Sequence, residues 1–232
     1  MQTFIRVPRL VRMVRKARET PGDGMARAEA QELAMELFES DLEDWVDEIT
    51  NSGALLMWPN ARPDIDPYGP ECFHFASPRL FILLTTYWMT RVFICGCVQT
   101  LCDMEPGESL TKIFNQEAAR AEELRAATRI AMCAQYALKT SPLLPVVPLR
   151  LQMPVLISFA AWHRLETRSL MLRMAGNDTP TSNRDGAHAT RMKHWCVRVS
   201  RDISSRWNGV LTTVEDLEEK THSLSGGPML RA

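Results

Sequence analysis

Hydrophobic residues recur at helical spacing over most of this chain. Between Met25 and Thr50 the apolar positions Leu33, Leu37, Leu42, Trp45, Val46 and Ile49 are mostly three or four apart, which predicts one helix with a core-facing stripe and its carboxylates in water. Asn51-Ser52-Gly53 ends it. The next stretch holds Pro59, Pro63, Pro67, Pro70 and Pro78, too many for a helix or a central strand. It reads as one loop of about 25 residues without regular structure, pinned by its aromatics Trp58, Tyr68, Phe73 and Phe75.

Ser77 followed by Pro78 is an N-cap with proline at the first helical position, and it opens the most apolar segment, Leu80 to Cys102. That length could span a bilayer. Arg91, however, stands at its centre among Thr85, Thr86, Thr90 and Gln99, and a mid-membrane arginine costs at least ~2.5 kcal/mol. A buried central helix is therefore expected, with Arg91 reaching a carboxylate or a helix edge, and Glu105-Pro106-Gly107 stopping it.

Asn115 is placed to cap a helix running to about Lys139, with Leu124, Ala127, Ala131, Ala134 and Leu138 on one face and Glu122/Arg125 as an i,i+3 pair on another. Pro142, Pro145 and Pro148 predict an extended connection. Pro154 is tolerable only in the first turn of a helix that then carries Val155, Leu156, Phe159, Trp162 and Leu165 and runs to about Met174. Gly176 to Gly186 reads as a flexible loop. A last strong helix has Met192, Trp195, Cys196, Val199 and Ile203 on one face, with Arg191, Lys193, Arg198, Arg201 and Arg206 elsewhere. No convincing strand run and no fixed repeat intervene. The expected fold is all-α: a multi-helix bundle or orthogonal helical array with one long proline-rich loop. The expected division is a basic arm and turn over 1–24, a helical domain over 25–209 and an acidic, disordered tail over 210–232.

Composition changes this picture little, and charge placement changes it more. The 232 residues carry 27 Lys+Arg against 28 Asp+Glu, so nothing marks the whole chain as a polyanion binder. From Arg6 to Arg18 there are six basic residues and no acid, and from Glu29 to Glu48 nine acids and no base. Arg6, Arg9, Arg12, Arg15 and Lys16, interleaved with Leu10, Val11 and Val14, suit a short basic amphipathic helix. A mobile arm is the expectation; phosphate or DNA contact, nuclear import, a mitochondrial presequence or membrane contact are the alternatives. The six cysteines are scattered and no apolar signal region follows the basic residues, which argues for a reducing compartment.

The catalytic search returns little. There is no dinucleotide-binding fingerprint, no phosphate-binding loop, no zinc-protease helix and no nucleophile elbow. Glu71 and His74 have a di-iron-like spacing but fall in the proline-rich stretch. His163 and Glu166 are well spaced on a helix, yet in reversed order and without a second copy. Cys95, Cys97 and Cys102 lack the gaps of a zinc site and read as buried small hydrophobes. No catalytic residue, cofactor or zinc is expected.

The order of the segments is more informative. An acidic amphipathic helix, Phe73-His74-Phe75-Ala76-Ser77-Pro78, the helix from Leu80 to Arg91, Arg129 to Tyr136, Met153 to Trp162, and Met192-Lys193-His194-Trp195-Cys196 together resemble the carboxy-terminal regulatory region of fungal zinc-cluster transcription factors. The likeness runs from about Met25 to Trp207. It implies a helical regulatory domain in the nucleus that controls activation, working with the transcription machinery or other protein partners or with a small-molecule effector. Trp88, Phe93, Phe159 and Trp162 would then pack the core or line a pocket. The family's six closely spaced zinc-binding cysteines have no counterpart before Cys72, which makes the chain a fragment without its DNA-binding module or a stand-alone paralogue; non-specific DNA contact by Arg6 to Arg18 or Arg191 to Arg206 stays compatible with either. A membrane-associated helical protein is the alternative, and a metal-dependent helical enzyme using Glu71, His74, His163 or Glu166 a less favoured one; a membrane is not the expected partner.

Overall fold

The structure is a computed structural model, describing residues 2–40, 43–61, 66–104, 115–140, 144, 146–177, 179–206 and 213–225. The expected stop at Glu105-Pro106-Gly107, together with Leu42, Pro63, Pro142, Pro145, Trp207 and the last residues of the tail, lies outside these. Among the described residues the chain folds into nine helices and one hairpin: α1 (Gln2–Glu19), α2 (Gly24–Glu39), α3 (Glu43–Asn51), β1 (Leu55–Pro59), β2 (Glu71–Phe75), α4 (Pro78–Asp103), α5 (Gln116–Met132), α6 (Ala134–Thr140), α7 (Val146–Met174), α8 (Pro180–Ser205) and α9 (Val214–Ser225). The expected mostly helical array is what forms.

Local signals explain most boundaries. Ser77 Oγ accepts from the Leu80 N–H at 3.3 Å, Asn115 Oδ1 from Ala118 at 3.0 Å and Thr179 Oγ1 from Ser182 at 3.1 Å, each satisfying a donor that the first turn leaves open. At the other ends Gly53 and Gly176 take left-handed φ values of 75° and 76°. Their neighbours Ala54 and Asn177 donate back to Ile49 and Leu172, closing α3 and α7 with Schellman turns.

Several expectations are overturned. The stretch from Met25 to Thr50 is two helices, because Ser40 leaves the helical conformation and bonds back to Leu37. The proline-rich stretch is not all loop: β1 and β2 pair antiparallel, Leu55 opposite Phe75 through Pro59 opposite Glu71. Pro59 and Pro70 stand at the end of the ladder where the strands run into the loop that joins them, and there the lost N–H donors are tolerated. The helix from Asn115 breaks at Cys133 instead of running on to Lys139. Pro148 sits in the first turn of α7 and Pro154 inside it, so the expected extended connection is replaced by a longer helix. Thr179-Pro180 starts α8 early, which removes half of the expected Gly176 to Gly186 loop. The acidic tail holds α9, whose Leu217 is buried and whose Thr213 and Asp216 cap each other reciprocally at 2.7 and 3.1 Å.

The basic segment is likewise no mobile arm. Leu10, Val14 and Ala17 on α1 are fully buried, and α1 turns back on α2 through Pro21-Gly22-Asp23. Arg6 closes the far end with a paired contact to Glu36. These helices and the second half of α4 (Ile94, Val98, Leu101) enclose one core. A larger core joins the hairpin, the first half of α4 (Phe81, Leu84, Trp88) and α5 to α8. Helix α4 thus crosses both, which is why it is apolar on every side. It is long and apolar enough to cross a membrane, with mean hydropathy 1.6, and 72% of that window is buried inside the fold.

Arg91 does what its position predicted, twice over. Its Nε lies 3.3 Å from Glu122 of α5, and Nη1 donates to the Phe38 carbonyl at 2.9 Å, at the end of α2. One guanidinium therefore ties three helices together, with its charge compensated by a carboxylate and by the negative end of a helix. Asp66 pins the stretch after β1 in the same manner, accepting from Trp195 Nε1 at 3.2 Å and from Arg198 Nη2 at 2.5 Å.

Candidate functional site

One cleft combines apolar walls with paired charges, and another contains the candidates His163 and Glu166. The first, about 390 Å³, opens where the end of α4, the start of α5 and the middle of α7 meet, with Asp185 of α8 at its edge. Its floor is a buried ion pair. Arg164 Nε lies 3.2 Å from Glu123 Oε2, the second guanidinium nitrogen closes on Oε1, and Gln99 Nε2 donates to Oε2 at 2.8 Å. Both side chains are nearly lost to solvent, 9% for Arg164 and 3% for Glu123. Burial lowers the guanidinium to about 10, which still leaves it charged at neutral pH. The walls are apolar, from Ala121, Leu124, Leu165 and Met171. The rim holds Glu117 beside Arg120 at 3.4 Å and Arg168 at 3.6 Å, and Asp103 accepting from the Gln116 amide at 3.1 Å. An apolar body with a few convergent charges is the usual make-up of a small-molecule site.

The second cleft contains the candidates His163 and Glu166. Lys193 of α8, itself buried, places Nζ 2.8 Å from Glu166, 3.1 Å from Glu218 of α9 and 3.2 Å from His163 Nδ1. An ammonium can only donate, so its three protons are spent and the imidazole accepts at Nδ1 with its own proton on Nε2. Burial and then the Lys193 charge push the His163 pKa down, so the 3.5 Å approach of Glu218 is to a neutral ring near neutral pH. Burial works against the Lys193 charge, but the hydrogen bonds to Glu166 and Glu218 prevail and raise its pKa. A lysine held protonated is a poor base and nucleophile; the cluster ties α7, α8 and α9.

The other sequence candidates fall apart or into the core. Glu71 and His74 lie three apart on β2, so they face opposite sides of the strand and cannot share an ion. Glu71 is exposed, while His74 stacks on Trp58 at 3.9 Å. Among the described residues no group of three or more histidines, cysteines and acids is placed to hold a metal. All six cysteines are free, and burial pushes Cys95 and Cys97 up to about 12, as suits inert core thiols. Trp88, Phe159 and Trp162 are core residues and Phe93 packs against both cores; none of them lines the two clefts. Trp88 stacks on Phe73 at 5.3 Å and Trp162 meets His188 edge-on at 5.5 Å. On α1, Arg9, Arg12 and Lys16 face outward at the spacing of one helical stripe, Arg15 is half-buried, and Arg6 is committed to Glu36. Alongside, α2 exposes Glu29, Glu32, Glu36 and Glu39, so the basic stripe lies next to an acidic one.

Sequence reasoning missed the first cleft. Nothing in the sequence around Glu123 and Arg164 marks them, because their burial is produced by α4 and α5 packing on α7, which no local pattern reports. The available signal was the run of small residues on α5, Ala118, Ala119, Ala121, Ala126 and Ala127, which brings that helix close enough to α4 and α7 to bury a charge. No protein-family model matches the chain, and no curated protein or solved structure matches it at a significant level.

Proposed function

We propose that the chain is a helical regulatory domain, similar to the regulatory region of fungal zinc-cluster transcription factors, which acts in the nucleus through protein partners and answers to a small-molecule effector in the first cleft. One observation carries this reading. Five of the six segments on which the resemblance rests are far apart in sequence, yet all five supply the larger core: Phe73 and Phe75, Phe81 to Trp88, Ile130 to Tyr136, Val155 to Trp162, and Met192 to Cys196. Their order and spacing are therefore those of one packing solution and not of five unrelated segments. The cleft lies at the side of that core, walled by α4, α5 and α7, where an occupant would bear on the packing of all three. For partner contact, the β1 residues Leu56, Met57 and Trp58 are large, apolar and exposed, as the centre of a protein interface requires. Phosphate contact through Arg9, Arg12 and Lys16 ranks behind it, since the acidic stripe of α2 lies within a Debye length of those charges.

The test is a reporter assay. Fused to a heterologous DNA-binding module upstream of a reporter gene in a fungal cell, the chain is expected to change output relative to that module alone. Unchanged output from a fusion that accumulates in the nucleus contradicts the regulatory reading.

A further inference from the structure

We infer that α1 and α2 together form a docking face for a second copy of this chain, held by opposite charges. Two exposed stripes make that face. On α1 the stripe runs through Ile5, Arg9, Arg12 and Lys16, and on α2 through Met25, Glu29, Glu32 and Glu36, with the same spacing of four, three and four, so each is one line along its helix. The opposite faces are fixed: Leu10 and Val14 of α1 and Leu33 and Leu37 of α2 are buried in the smaller core, which holds both stripes at the surface. Arg6 reaches Glu36 across the seam between the helices. Arg9, Arg12, Lys16, Glu29 and Glu32, by contrast, make no ion pair and no side-chain hydrogen bond among the described residues. Ile5 and Met25, 79% and 75% exposed, add apolar surface at the ends of the stripes.

The arrangement of charge selects the occupant. A polyanion drawn to the basic stripe meets the acidic one beside it, and a polycation meets the reverse. The surface that fits carries an acidic stripe beside a basic one at the same interval, and the chain itself presents that pattern. The two helices run antiparallel with Arg6 level with Glu36. In that register Arg9 is level with Leu33, between Glu32 and Glu36, and Arg12 with Ala30, between Glu29 and Glu32. A two-fold axis parallel to the helices keeps every residue at its level and exchanges α1 for α2. It therefore lays the basic stripe of each copy on the acidic stripe of the other, and the contact closes as an isologous dimer. The net charge of -1 leaves little long-range repulsion between copies. Helices of 18 and 16 residues give a footprint of about 500 Å² per copy, at the low end of specific interfaces, so the dimer is weak and dissolves as salt screens its charges.

Sedimentation velocity on the full chain over a range of protein concentrations tests this. A concentration-dependent dimer is expected at about 20 mM NaCl and a monomer at about 500 mM. Arg9→Glu with Arg12→Glu, and separately Glu29→Lys with Glu32→Lys, should each weaken self-association about tenfold or more, since like charges then face each other. Mixed in equal amounts, the two variants should dimerise again, because each supplies the stripes that the other lacks. That rescue requires both variants to be folded, so it separates a lost contact from a lost fold. A native chain that stays monomeric at low salt, whether or not it binds duplex DNA there, overturns the inference. So do association indifferent to salt, growth beyond the dimer, variants that associate like the native chain, and variants that fail to rescue each other. The measurement needs neither effector nor transcription, so its outcome is independent of the reporter assay.

Discussion

Two kinds of charge are buried in this molecule, and they respond differently to substitution. Arg164 and Glu123 are held by each other and by little else in water's reach, so removing one leaves the other buried and unpaired. Arg164→Met alone is expected to lower unfolding free energy by about 3 kcal/mol, while Arg164→Met with Glu123→Gln should recover part of that loss. Urea denaturation of both variants checks it; equal losses would show that the pair is not coupled. His163 and His188 present the reverse case. Burial depresses both pKa values, so below the ordinary value of 6.5 the unfolded chain takes up more protons than the folded one, and stability falls as pH drops through that range. His163→Gln should shallow the fall that sets in as pH drops below about 6.5, and adding His188→Gln should shallow it further. A profile unchanged by either substitution would mean that the imidazoles are not desolvated.

At the scale of elements, helix ends were legible and helix surroundings were not. Ser77-Pro78 and Asn115 cap as their residue types require, and Gly53 ends α3 through a backbone conformation that only glycine reaches easily. These signals are carried by three or four neighbouring residues. The hairpin was hidden because prolines at Pro59 and Pro70 mimic a loop, and only the partner strand makes β1 a strand. Pro148 and Pro154 misled in the other direction, since tertiary packing on α7 outweighs the hydrogen bond lost at Pro154. The basic segment shows the same limit: its interleaved apolar residues Leu10, Val11 and Val14 were readable, but not that α2 and α4 would cover Leu10 and Val14. Leu10→Ala should therefore cost about 3 kcal/mol, whereas Arg12→Ala, on the outward stripe, should stay within about 0.5 kcal/mol. Equal and small effects of the two in urea denaturation would return α1 to the status of a mobile arm.

On the scale of the whole molecule, α4 is the shared beam of both cores. Its middle holds Arg91, which meets α2 and α5, and its far end reaches the first cleft with Gln99 and Asp103. An occupant of that cleft would touch α4, α5 and α7 together, and these helices all contribute to the larger core. Candidate chemistry was the least legible part of the sequence, because Asp103, Glu123, Arg164 and Asp185 are ordinary residues whose meaning comes from being brought to one opening. The His163 and Glu166 spacing was real, yet the structure spends it on Lys193 and Glu218. The most direct measurement compares reporter output from the fusion carrying the native chain with output from the same fusion carrying Asp103→Asn and Asp185→Asn, at matched nuclear levels. A regulatory domain governed by this cleft predicts different outputs from the two; identical outputs, each distinct from the DNA-binding module alone, would contradict the cleft's place in the account.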